Sequence, residues 1–118
     1  MNKMTRYKIL VIEPWDFKWP DSQTSFLADL VGILSSSTSS DKKRYLLLKV
    51  VYPFQYEGEL VEQMIASPRF VGTTIDMISN AGGIVGLARV HPGVSLIVNT
   101  AFKPSDVQYF VIADLKLL

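Results

Sequence analysis

GELVEQMIAS, residues 58–67, is the stretch on which the fold turns. Leu60, Val61, Met64 and Ile65 recur at the spacing of a helical stripe, and Glu59, Glu62 and Gln63 fall on the opposite side. Glu57 and Glu59 stand where they complement the positive end of a helix dipole. Pro68 disfavours helical geometry at Ser67, so a helix would stop there. The pattern predicts the main helix of the chain at this place.

Upstream, YLLLKVVYPF (45–54) reads as a strong strand. FLADLVGIL (26–34) is ambiguous between helix and strand, since Asp29 and Gly32 weaken the strand pattern, and the flanking segments favour it as the partner in a long hairpin, 27–36 against 44–53. Between them SSSTSSDKKR (35–44) is hydroxyl-rich and then charged, the composition of an exposed, flexible loop over 35–43. YKILVI (7–12) is apolar on both faces and predicts an inner strand that Pro14 ends.

Downstream, Thr73-x-x-Asp76 resembles a capping box, and TIDMISN predicts a second, short helix stopped at Gly82-Gly83. Strands over 84–90 and 94–102 flank His91-Pro92-Gly93, which suits a type II turn. A turn at 103–106 leads into a last strand over 108–118. The expected class is α+β, an antiparallel β-sheet or partly open β-barrel ordered β-β-β-α-(α)-β-β-β. One main helix lies between the third and fourth strands, as in an OB-fold. Residues 1–118 show no repeat and no boundary, so one domain is expected.

Composition narrows the function classes. Apolar residues make up 48% of the chain and charged ones 19%, against a usual quarter. So small a chain has limited interior, and part of that apolar surface is expected to face a partner or a second copy. Twelve Lys and Arg against eleven Asp and Glu give no basic excess, which counts against a general nucleic-acid or membrane-surface binder. Cysteine is absent, excluding disulfides and thiolate metal sites. Ile9–Ile12 is too short for a signal peptide, and Pro92-Gly93 interrupts the longest uncharged stretch, so a soluble, cytoplasmic protein is expected.

Catalytic signatures are weak. His91 is the only histidine and precedes Pro-Gly, where a turn accepts any polar residue. Gly82-Gly83-Ile84-Val85-Gly86 follows a helix and enters a strand, the reverse of a phosphate-cradling loop. Glu13, Asp16 and Asp21 read as acids of a solvated loop, so neither metal nor cofactor is expected.

The binding candidates begin with EPWDFKWP (13–20), where Trp15, Phe17 and Trp19 alternate with Asp16 and Lys18. Its aromatic face fits core, protein interface or a stacking platform for bases. Arg69, beside Phe70, is a candidate anchor for a carboxylate or phosphate, or else an ordinary arginine bonding a backbone carbonyl. Lys42, Lys43 and Arg44 offer contacts to phosphate or an acidic partner, or simply solubilise a hairpin tip. The expected function is a non-enzymatic protein–protein interaction module that self-associates: a subunit, adaptor or inhibitor. The alternatives are an OB-like binder of single-stranded nucleic acid and a small enzyme working through carboxylates or His91.

Overall fold

The computed structural model describes residues 5–14, 24–36, 44–56, 58–70, 72–91, 93, 94, 96, 101, 102 and 104–118. In chain order its elements are β1 (Arg6–Pro14), β2 (Ser25–Ser36), β3 (Arg44–Tyr56), β4 (Glu59–Pro68), α1 (Ile75–Ala81), β5 (Gly83–Val90), β6 (Ala101–Phe102) and β7 (Val107–Leu117). One turn of 3-10 helix, Pro104–Asp106, leads into β7.

The six long strands close a ring, β1-β2-β3-β4-β5-β7 and back to β1, with every neighbouring pair antiparallel. Closure leaves each of these strands a partner on both sides, which removes the edges an open sheet would expose. The predicted antiparallel architecture is therefore present, as a closed barrel.

The predicted order is corrected in one element. Residues 59–68 form strand β4 and not a helix, so the helix α1 lies between the fourth and fifth strands. The reason is double burial. Met64 and Ala66 face the barrel interior, while Ile65 between them is fully buried on the outer side. A strand covered on both faces shows a continuous apolar run instead of alternation, and here that run imitates a helical stripe. Apart from the β1–β7 closure, the ring joins consecutive long strands, so the OB-like order does not hold.

Hairpin β2–β3 forms as expected, from Ala28 opposite Val50 to Ser35 opposite Arg44. Tyr7, Ile9, Leu46, Leu48, Met64, Leu87 and Val111 contribute to the packed interior. Outside the wall, Gly32, Leu47, Ile65 and Ala88 stand in register across four strands. Val94 and Leu96, from the connection after β5, pack on this outer cluster together with Tyr45 and Val107. The connection then adds β6 parallel to β2 at Ser35 and Ser36, beyond the part of β2 that pairs with β1. Of the strand predicted over 94–102, only Ala101–Phe102 is regular among the described residues.

α1 closes one end of the barrel, burying Ile75 and Ile78 in the interior cluster. Its N-cap is Thr74, one residue later than the predicted box, with Oγ1 accepting from the Met77 amide at 3.2 Å. Gly82 ends it as predicted, its amide donating to the Ile78 carbonyl oxygen at 2.8 Å. Gly82 has φ 79°, and a Cβ there would collide with the Leu115 carbonyl oxygen, so only glycine lets the chain turn so close to β7.

Candidate binding surface

The registers place the candidate residues at two ends of the barrel. Arg44 and Arg69 lie at the α1 end. Arg44 reaches Asp76 of the helix at 3.5 Å, with both side chains exposed, a pair of small energetic weight. Arg69 is exposed, and its backbone amide donates to the Ile84 carbonyl oxygen at 3.1 Å. Trp15, Asp16, Phe17, Trp19, Lys42 and Lys43 lie outside the described residues. Pro14 and Ser25, the strand ends that bound 15–24, sit at the end of the barrel opposite Arg44 and Arg69.

That opposite end holds a buried arginine that no sequence motif marks. Arg89 on β5 is 4% exposed. Its Nε and Nη2 donate to Gln108 Oε1 at 3.1 and 2.9 Å, and Nη1 donates to the Tyr56 carbonyl oxygen at 3.3 Å. The guanidinium also lies 5.2 Å from the centre of the Tyr56 ring, and Glu59 Oε1 is 3.9 Å from Nη2. Neutral oxygens, an aromatic face and one partly exposed carboxylate together satisfy the buried charge. Its one sequence signal is an arginine in the apolar run of β5, and a single Arg in such a run also marks an ordinary edge residue.

His91 continues from β5 into the predicted turn. Its amide donates to the Asp106 carbonyl oxygen at 2.9 Å, and its own carbonyl oxygen accepts from the Val94 amide at 3.2 Å. Gly93 at φ 84° supplies the conformation a type II turn requires. His91 and Glu62 share a recess of about 160 Å³ with Leu60, Gln63, Val90, Gly93 and Val94, and none of these described lining residues carries a hydroxyl nucleophile. Among the described residues no three acids or histidines converge in a metal-binding group.

A second recess lies on the wall between β2 and β3. There a groove of about 450 Å³ is lined by Asp29, Leu30, Val31, Lys49, Val50 and Val51. Two adjacent irregularities frame it. The β2–β3 register shifts between Leu30 and Gly32, leaving Val31 as an extra residue. The β3–β4 register shifts between Lys49 and Phe54, so residues 50–53 oppose Glu62 alone. Bulges re-aim side chains, and these two turn Val31 and Tyr52 outward at 44% and 76% exposure. Pro53, which cannot donate to a ladder, fits the bulge for that reason.

Charge surrounds the groove. Arg6 on β1 stands opposite Asp29 and grips it with two hydrogen bonds, Nε to Oδ1 at 2.7 Å and Nη2 to Oδ2 at 3.1 Å. These bonds hold the Asp29 carboxyl below the usual carboxylate range, with the charges of Arg6 and Lys49 acting in the same direction. The same pairing raises the Arg6 guanidinium pKa.

No family model, curated protein or solved structure matches the chain. Its function is therefore argued from this geometry. Among the described residues no helix is long and apolar enough to cross a membrane.

Proposed function

We propose that the protein is a non-enzymatic interaction module that binds a protein partner, a second copy included, through the outer barrel wall around Val31 and Tyr52. One observation carries this reading: two neighbouring strands bulge side by side and present large apolar side chains beside a groove. A closed barrel has no need to do so for its own stability, since its apolar side chains have an interior to enter. Aromatic anchors beside a recess are the common currency of protein interfaces. Trp15, Asp16, Phe17 and Trp19 stay attached to this reading on sequence grounds, as does Arg69 with its exposed neighbour Phe70.

Comparative capture tests it. Immobilised wild-type protein retains a specific protein or a second copy of itself. Tyr52→Ser and Val31→Asp, with unchanged circular dichroism, lose it. A wild-type chain that is monomeric by light scattering and retains nothing the variants lose defeats the proposal. The nucleic-acid alternative has lost its fold analogy, because the helix follows the fourth strand and, apart from the β1–β7 closure, the ring joins consecutive long strands.

A further inference from the structure

Lys8 on β1 stands directly opposite Lys116 on β7. Like charges directly opposite each other cost stability, so the barrel itself gains nothing from this placement. Lys116 is offset by Asp114 at 3.5 Å, and Arg6 by Asp29. Lys8 and Lys49 have no ion pair among the described residues. Both are exposed on the wall that carries the groove, with Lys49 in its lining and Lys8 two residues from Arg6 on the same strand face.

From this charge pattern we infer that the groove takes an extended, acidic segment of a partner protein. Its carboxylates meet Lys8 and Lys49, and one of its apolar side chains enters between Val31 and Tyr52. The inference rests on the interaction-module reading and gives the partner its chemistry. Three features select this occupant. The groove's described apolar lining is aliphatic, with Tyr52 beside it, which grips a Leu or Val side chain but gives no row of aromatics for successive bases to stack on. Around the groove Arg6, Lys8 and Lys49 outnumber Asp29 and Glu62, a net positive charge that steers and orients carboxylates. Val51 and Tyr52 fall outside the ladder registers with both β2 and β4, so this stretch of an inner strand offers a peptide its side chains and no free strand edge.

Fluorescence anisotropy on the full chain tests this with three labelled probes of about eight residues, roughly 26 Å when extended. They are a peptide alternating glutamate and valine, one alternating lysine and valine, and an oligothymidylate of matching length. The glutamate peptide is expected to bind alone and to weaken as salt rises. Lys8→Glu with Lys49→Glu should weaken it about tenfold, the effect of removing attractive rim charges and adding repulsive ones. Lys8→Glu replaces a like-charge pair by an opposite one, whereas Lys49→Glu sets a second carboxylate opposite Asp29, so the double variant is read only with circular dichroism unchanged from wild type. Binding of the oligothymidylate in preference, no binding of the glutamate peptide, or binding indifferent to both reversals overturns the inference. The capture experiment separates the two levels. A partner lost on Tyr52→Ser but kept on the double lysine reversal leaves the module reading standing and removes the acidic segment; a partner kept on both removes the module reading itself.

Discussion

The Tyr7 hydroxyl donates a 2.7 Å hydrogen bond to the Ser79 carbonyl oxygen, tying the first strand to the last turn of α1. The final carbonyls of a helix have no partner within it. In this short helix the Gly82 amide satisfies Ile78, and a buried side chain from inside the barrel satisfies Ser79. The bond is thus part of how α1 is seated on the barrel end.

Removing that hydroxyl should loosen the seat. Tyr7→Phe is expected to destabilise by about 1–2 kcal/mol, because the ring still fills its site while the Ser79 carbonyl loses its donor. Urea unfolding with an unchanged slope checks it; a midpoint equal to wild type contradicts the assigned role. Hydrogen exchange should quicken in residues 75–81 before it does in β3.

Burial pushes the Tyr7 hydroxyl pKa up from its usual value near 10. A group whose pKa is raised on folding contributes stability that is complete below the unfolded value and lost as pH rises through the folded one. Wild-type stability should therefore fall more steeply above about pH 10 than that of Tyr7→Phe. Parallel thermal melts across that range decide the point; parallel slopes would be the contrary result.

Asp29 gives the opposite dependence. The Arg6 hydrogen bonds lower its pKa on folding, so the contribution is present above the unfolded value of about 3.9 and lost as pH falls through the folded one. Asp29→Asn should be less stable than wild type at pH 7 and converge with it as the medium becomes strongly acidic. A constant difference down to low pH would show that the pair does not carry the effect.

Two glycines separate backbone strain from collision. Gly82→Ala meets both a positive φ and the Leu115 carbonyl, and is expected to cost about 3 kcal/mol or more. Gly58, at φ 80°, has nothing within 4 Å of where a Cβ would stand, and should lose only about 1 kcal/mol on substitution by alanine. Equal losses in chemical denaturation would mean that the approach of Gly82 to β7 is not what selects glycine.

Arg89→Ala removes the guanidinium hydrogen bonds to Gln108 and the Tyr56 carbonyl and opens space under the Tyr56 ring. The expected cost is about 3 kcal/mol. Arg89→Met refills the space and should recover part of that loss, since a packed apolar side chain often replaces a buried charge at little net cost. Arg89→Met as damaging as Arg89→Ala would show that the hydrogen bonds, and not the filling, dominate.

How much of the fold is legible in the sequence follows from the range of each interaction. The Gly82 stop, the His91–Val94 turn and the β2–β3 hairpin are set by residues near one another in the chain, and the sequence marks each of them. β4 reads as a helix because alternation appears only when one strand face stays wet. Ile65 is dry because it belongs to an outer cluster against which Val94 and Leu96 pack, and nothing local to 59–68 reports that cover. The binding wall is invisible in the sequence for a related reason. Lys8 and Lys116 are far apart in the chain and ordinary surface lysines by composition. Only the β1–β7 register sets them face to face, and only the paired bulges turn Val31 and Tyr52 outward. Sequence by itself determined the β-rich architecture, the short helix and its glycine stop, because propensity, capping and turn chemistry act over a few residues. Tertiary structure decided the closure of the ring, the identity of β4 and the face that carries charge, because each depends on strand pairings that short-range chemistry does not encode.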